Sequence, residues 1–324
     1  MRGIPLNQLT KSAIFSLLAA VLTILTSCQT PAPKTDEAHA FANPEAAGDA
    51  LVAALTTDDK QVLAGILGKG SKALLNSGDP VDDQSQREAF VAAYELEHKW
   101  TSSGTAEQIL EIGNNGWPFP IPLVEHKDGW RFDAEQGADE ILNRRIGRNE
   151  LDTIQACLAF VDSEREYYQR SPQWLATPQY ARFIVSREGE RDGLYWKTSA
   201  DEAPSPLGPA YAAAKSAGYS PVQGGGKPFH GYLYRVLDSQ GASAPGGAYD
   251  YIQGDKMTRG FALVAWPAKY GASGIMTFVV NHSGVVYQTD LGPDTKKVVS
   301  TLTVFNPDDS WDVVSAKARA LPGT

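Results

Sequence analysis

A change of pattern at Ser171 limits the fold of this chain more than any other feature of its sequence. Immediately before it, Leu151, Ile154, Leu158 and Val161 recur at the spacing of one helix face, which predicts a long helical region over about 137–169. Beyond it, short apolar and aromatic runs such as HGYLYRVL, GFALVAWP, GIMTFVV and GVVYQTD are separated by glycine and proline. These predict strands at 230–238, 260–266, 274–281 and 285–290, the last two joined around His282-Ser283-Gly284. Strands that follow one another through short turns pair antiparallel, so the expected class is α+β.

Three helices and a hairpin are expected upstream. Asn43-Pro44-Glu45 has the form of a capped helix start leading into 46–55, and Asp58 and Asp59 precede a second helix that Gly68 and Gly70 end near Leu67. Residues 85–94 suggest a third. Strands are expected at 107–112 and 117–126, with Lys127-Asp128-Gly129 turning into Trp130-Arg131-Phe132. The second of these strands holds Pro118, Pro120 and Pro122 at alternate positions. Alternate residues of a strand direct their N–H groups to the same side, and proline has none. The spacing therefore predicts an edge strand, blunted by its prolines, with Phe119, Ile121 and Leu123 facing the core. Within the long helix, Gly147 is expected to kink or divide it and Asn149 to cap its second half. The organisation that follows is an N-terminal helical part with the proline-rich hairpin over 43–147, then a C-terminal helix plus antiparallel sheet over 148–314.

The N-terminus carries an address. Arg2 and Lys11 precede an apolar run from Ala13 to Leu25, which is laid out like a secretory signal and is too short for a convincing membrane span. Its end, Leu25-Thr26-Ser27-Cys28, resembles the bacterial lipobox. That implies removal of residues 1–27 and attachment of diacylglycerol at Cys28, with palmitate-type acyl chains. An ordinary signal peptide with an incidental cysteine is the other reading. Several acyl chains hold a protein firmly at a membrane surface, and residues 28–42 then form a flexible tether. Gln29 stands where inner-membrane lipoproteins commonly carry aspartate, which points to the periplasmic face of the outer membrane in a diderm cell. The formal net charge is −9, more acidic still once Arg2 and Lys11 are removed, and no basic tract is present, so no nucleic-acid partner is expected. With Cys28 acylated, Cys157 has no disulfide partner within the chain. Beside Ile154, Leu158 and Val161 it reads as a buried core thiol.

The strings SGDP, WPFPIPLV, EILNRRIGRNEL, RDGLYW, SPLGP, HGY, APGGAYDY and FALVAWPAKYG occur together and in this order. On them the chain resembles, from Phe41 to Trp311, the bacterial family known as domain of unknown function 2950. The resemblance implies an uncharacterised envelope protein and brings no reaction, ligand or active-site residue with it. A second resemblance is one of topology. A helix beginning near Asn149, an irregular stretch and the antiparallel run from His230 to Asp290 are similar to the globular part of type IV pilins and pseudopilins, which implies a module for assembly or binding. The chain departs from that family by lacking the apolar N-terminal polymerisation helix, and Glu164, Arg165 and Glu166 make its helix amphipathic. Both features speak against filament formation by this chain itself.

Arg144, Arg145 and Arg148 gather around Gly147 in NRRIGRNE. Arg144 and Arg148 lie four apart on one helix face and can grip a carboxylate or phosphate. The commoner use of such a cluster is to bridge two parts of a protein through acidic partners, here Glu140 and Glu150. In RDGLYW, Arg191, Asp192, Tyr195 and Trp196 form either a polar and aromatic binding surface or, more simply, a turn and a strand whose aromatics cover the core. His230, at the start of its strand, is of the residue type most used as a general acid or base, but a lone histidine is insufficient evidence for such a role. The histidines at 39, 98, 126, 230 and 282 show no ligand spacing, so no metal is expected. The sequence carries no nucleophile elbow, phosphate loop or dinucleotide fingerprint, and Gly224-Gly225-Gly226 lacks a strand–turn–helix setting, so no cofactor is expected. The expected function is that of a lipid-anchored cell-envelope protein that binds or helps assemble an envelope partner without catalysis. The alternative is an envelope hydrolase or small-ligand-binding protein in which Arg144, Arg148, Asp192, Tyr195 and His230 converge on a cleft between the two parts.

Overall fold

Short polar side chains fix the helix starts. Asn43 accepts from the Ala46 amide ahead of α1 (Pro44–Thr56), Asp59 from the Gln61 and Val62 amides ahead of α2 (Lys60–Leu67), and Asp79 from the Val81 and Asp82 amides ahead of α3 (Pro80–Leu96). Pro44 and Pro80 sit where a missing N–H removes no helical bond. Gly68, at φ +69°, ends α2 as expected. The third helix starts five residues earlier than its expected position, because Asp79-Pro80 is its cap. The computed structural model describes residues 38–219, 226–316 and Ala318. The expected signal peptide, Cys28, the tether as far as 37, and Gly224 and Gly225 lie outside the described residues. The tether was expected to reach 42, yet His39 donates its amide to the Gly65 carbonyl and Phe41 exchanges two backbone bonds with Trp130. The docked chain thus begins at least by His39.

The first sheet is antiparallel. Its strands are β1 (His98–Ser102), β2 (Glu107–Ile112), β3 (Trp117–Pro118), β4 (Leu123–His126) and β5 (Gly129–Phe132), ordered β1-β2-β4-β5 with β3 also on β2. The proline-bearing β3 has β2 as its one strand neighbour, as expected of an edge strand, but the strand expected over 117–126 is not continuous and its second part lies inside the sheet. The segment splits into two short strands that both pair with β2, and β4 pairs with β5 on its other side. Phe119 donates its amide to Leu110 at 2.8 Å, and Phe119, Ile121 and Leu123 are buried in the core as expected. Successive residues of a strand point to opposite neighbours, so the Pro120 carbonyl faces away from β2. A helix covers that side, and the prolines blunt no open edge. Gly137 of α4 (Ala134–Arg170) approaches so closely that a Cβ there would lie 2.2 Å from the Pro120 oxygen.

Helix α4 runs unbroken for 37 residues. Gly147 neither kinks nor divides it. Asn149 caps nothing; it is buried in mid-helix and donates its side-chain amide to the Ser273 carbonyl at 2.9 Å. The helix begins in one hydrophobic core and ends in another. Ala134 packs with Leu51, Leu63, Leu110 and Phe132, whereas Ile154, Cys157, Phe160 and Val161 pack with Tyr232, Val264, Phe278 and Phe305. Burial pushes the Cys157 thiol up to about 12, so it is inert at neutral pH.

After α4 come a short parallel pair, β6 (Phe183–Val185) with β7 (Gly193–Tyr195), and the helix α5 (Gly208–Ser216). Strand β8 (Tyr232–Leu237) is followed by two small ribbons, β9 (Ser239–Gln240) with β10 (Tyr249–Asp250) and β11 (Ile252–Gln253) with β12 (Lys256–Met257). Then follow β13 (Ala262–Pro267), β14 (Met276–Asn281), β15 (Val286–Asp290), α6 (Thr295–Thr301) and β16 (Asp312–Val313). The second sheet has the order β16-β15-β14-β13-β8 and is antiparallel throughout. The four strands expected from the sequence form its body, and Val264 sits in register with Arg235 on one side and Val279 on the other. The class is α+β.

The two interior glycines of α4 predict opposite outcomes. A Cβ at Gly147 meets nothing within 4 Å, so Gly147→Ala is expected to stabilise the fold by about 0.5–1 kcal/mol through the helix backbone. Gly137→Ala drives a methyl into the Pro120 backbone and is expected to cost about 3 kcal/mol. Urea unfolding of both variants checks the pair.

Candidate functional site

Between its two apolar ends, α4 presents polar side chains to the interior. Arg145 donates to the Ala73 and Leu74 carbonyls at 3.0 and 2.7 Å. Arg148 lies 3.6 Å from the Asp82 carboxylate. Asn149 reaches Ser273, and one Glu150 oxygen accepts the Ile275 and Met276 amides at 3.0 Å each. Asp152 sits 3.5 Å from Nδ1 of His230. Loops from the first half of the chain and turns of the second sheet are thus held on one stretch of helix.

Asp79 joins the same belt from the other direction. Its Oδ1 caps α3, while its Oδ2 accepts from the Tyr219 hydroxyl at 3.0 Å and from the Gly231 amide at 2.8 Å. Burial raises the Asp79 carboxyl above its ordinary value, against the Gly231, Asp82 and Tyr219 hydrogen bonds that pull it down. His230 and Gly231 both have positive φ, and Phe229 and Tyr232 exchange two backbone bonds around them. That is the two-residue hairpin turn whose twist matches flanking strands. His230 pairs with Asp152 on one side, while its amide donates to the Tyr219 hydroxyl at 3.3 Å. Among the described residues its ring nitrogens have no partner but Asp152.

The six candidate residues do not converge on one cleft. Arg144 pairs with Glu140 at 2.7 Å and lies over the Trp117 ring; Arg145 and Arg148 belong to the polar belt, and so does His230. Asp192 pairs with Arg187, which fixes the turn before β7. Tyr195 stacks on Tyr211 with ring centroids 3.7 Å apart and lines a small cavity of about 290 Å³ beside Trp196 and Pro209. Glu140 is a partner of the arginine cluster as expected, whereas Glu150 binds backbone amides and Asp82 takes its place.

A larger cavity, about 460 Å³, lies among α4, β6, α5 and β8, and none of the six candidates lines it. Its floor is Phe160, Tyr219 and Leu263, its walls include Ile184, Leu207, Tyr211, Phe229 and Tyr234, and its exposed rim carries Arg182, Phe183, Lys227 and Asp238. Tyr219 belongs to both sites, since its ring lines the cavity and its hydroxyl reaches Asp79. The Tyr234 hydroxyl bonds Thr153 of α4. The Tyr211 hydroxyl is buried with no hydrogen-bond partner among the described residues. These residues come from segments spread between positions 156 and 263 and share no motif. The aromatic content of those segments was the only sequence signal for them.

The wall containing β6 is tied to α4 by Glu164, which is fully buried and accepts the Ala181 amide at 2.9 Å. Its other oxygen has no partner among the described residues. Burial pushes the carboxyl well above its ordinary value of 4.5, and the single backbone bond opposes this only in part.

An α+β body with two cores threaded by one helix, and a preformed aromatic cavity against that helix, is the class that this fold and site define. The chain belongs to the protein family of unknown function DUF2950, whose model matches residues 38–314. Neither a curated protein nor a solved structure matches it.

Because the folded-state pKa of Glu164 is raised, the destabilisation it causes is absent below about 4.5, where it is protonated in both states, and grows as pH climbs toward the folded value. Glu164→Gln keeps the acceptor for Ala181 and removes the titration. Thermal melts are expected to show little difference between wild type and variant near pH 4, and a difference that widens in favour of the glutamine toward pH 8.

Proposed function

We propose that this is an exported, lipid-anchored cell-envelope protein that acts by binding a small, largely apolar ligand rather than by catalysis. The observation that carries the reading is the cavity. Its volume lies within the roughly 300–1,000 Å³ of small-molecule sites, and its aromatic and aliphatic lining, with a few converging hydroxyls and charges, is of the kind such sites use. The exposed large apolar side chains among the described residues favour it over a protein-docking patch: Val62 and Leu96 sit on α2 and α3, Val298, Val304 and Val313 on α6, the segment after it and β16, and of the six Phe183 alone borders the cavity. The hydrolase alternative has one observation in its favour, the pairing of His230, held at positive φ in its turn, with Asp152 of α4. His230 has no nucleophile hydrogen-bonded to its ring among the described residues, and it does not line the cavity. Envelope location and attachment are supported by Arg2, Lys11, the apolar run and the Leu25–Cys28 motif. Among the described residues no helix is long and apolar enough to cross a membrane.

Binding is tested with N-phenyl-1-naphthylamine, a neutral apolar dye that brightens on leaving water. Wild type is expected to bind it, and Ala214→Trp, which fills the cavity from α5, is expected to weaken binding at least about tenfold while melting at the wild-type temperature. Equal binding by both proteins sinks the cavity reading. Attachment is tested separately: Cys28→Ser is expected to move the protein from the membrane fraction of the native cell to the soluble fraction, and an unchanged membrane fraction overturns the lipid anchor.

A further inference from the structure

The cavity rim is cationic in an otherwise acidic chain. Arg182 and Lys227 both line it and are exposed, and among the described residues neither charged group has a carboxylate or hydrogen-bond partner. This sets Arg182 apart from the arginines of the neighbouring surface. Arg170 is paired with Glu166, Arg187 with Asp192 and Arg191 with Glu202. The Arg182 guanidinium instead rests over the exposed Phe183 ring, 6.0 Å from its centroid, which orients it at the cavity edge without neutralising it. A third lining cation, Arg235, is already committed: it donates to the Val299 and Leu302 carbonyls at 2.6 and 2.5 Å and lies over Trp266. Among the described residues Asp238 is the one carboxylate in the lining.

Two uncommitted cations at the mouth of an aromatic cavity suit an amphiphile whose charge stays at the water boundary while its chain leaves it. Resting on the cavity reading above, we infer that the ligand is a single-chain amphiphile with an anionic headgroup, its chain against Phe160, Tyr219 and Leu263 and its headgroup met by Arg182 and Lys227. A free fatty acid and a single-chain anionic phospholipid share this chemistry. Electrostatic attraction at an exposed rim is weakened by salt, so the preference belongs to low ionic strength above all.

The test is displacement of N-phenyl-1-naphthylamine by four ligands: dodecanoate, lauroyl-lysophosphatidylglycerol, dodecanol and dodecyltrimethylammonium, each below its micelle concentration. At least one anion is expected to displace the dye at concentrations about tenfold below dodecanol, with the cation weakest. Whichever anion binds more tightly identifies a fatty acid or a membrane lipid as the source. The double variant Arg182→Gln/Lys227→Gln, with folding checked by its melting temperature, is expected to bring the anion and the alcohol to nearly equal affinity. Asp238→Asn is expected to shift the preference further toward the anion. Equal displacement by dodecanol and both anions in wild type overturns the inference and leaves the cavity reading standing. The inference is likewise overturned if the double variant keeps the preference or loses all ligands equally. If the dye itself fails to bind wild type, the cavity reading falls and takes this inference with it.

Discussion

Between Arg145 and Thr153 a helix carries polar side chains through the interior, and on that stretch the Ala73–Leu74 loop and Asp82 of the first half and the Ser273–Met276 turn and His230 of the second are held together. A buried donor or acceptor left without its partner costs about 1–3 kcal/mol, so Arg145, Asn149, Glu150 and Asp152 each demand a particular carbonyl, amide or ring opposite them. The polar belt sets the register of the two cores along α4, because shifting it by one residue would strand several of these groups at once. Asp79 strengthens this from the first half of the chain, since one carboxylate starts α3 and also anchors the Gly231 turn and Tyr219.

The cavity depends on the same arrangement. Phe160 and Ala156 line it from α4, Glu164 holds the β6 wall to that helix, and Tyr219 is held at the floor by Asp79. Its walls come from different segments, but each is tied to an element that the belt already fixes. A site with its rigid parts in place before a ligand arrives spends less of its binding energy on ordering. The charge pattern follows a similar division: Arg170, Arg187 and Arg191 on the surrounding surface are paired with carboxylates, while among the described residues Arg182 and Lys227 at the rim are not.

Much of the fold was legible because it rests on local rules. Asn43 and Asp59 cap helices, Gly68 ends one, and the alternating runs of the second half become adjacent antiparallel strands. Asp79-Pro80 was equally legible as a cap, but the expected start at Ser85 overlooked it. Strand β1 gave no signal, since His98–Ser102 is half-exposed or exposed along its length and shows no alternation. The proline segment misled for a physical reason. Missing donors on one side imply an absent strand neighbour but not open water, and here a helix occupies the space. Gly147 and Asn149 misled similarly, because packing at both ends of α4 outweighs a local preference to break, and Asn149 found a partner far along the chain. For the site, the arginine cluster was recognisable as a bridge, although Asp82 as a partner of Arg148 was not, because nothing in the sequence relates positions 82 and 148.

The sequence by itself determined the α+β class, the helix boundaries set by capping residues, the buried state of Cys157 and the strand order along the chain, since each depends on residues close in sequence or on simple periodicity. Only the tertiary structure decided that α4 is unbroken, that SGDP, NRRIGRNE and HGY meet in one polar belt, and that Arg182, Tyr211, Tyr219 and Lys227 surround a cavity. Those outcomes depend on which distant groups satisfy one another's hydrogen bonds and charges once water is excluded, and spacing along the chain does not encode that pairing.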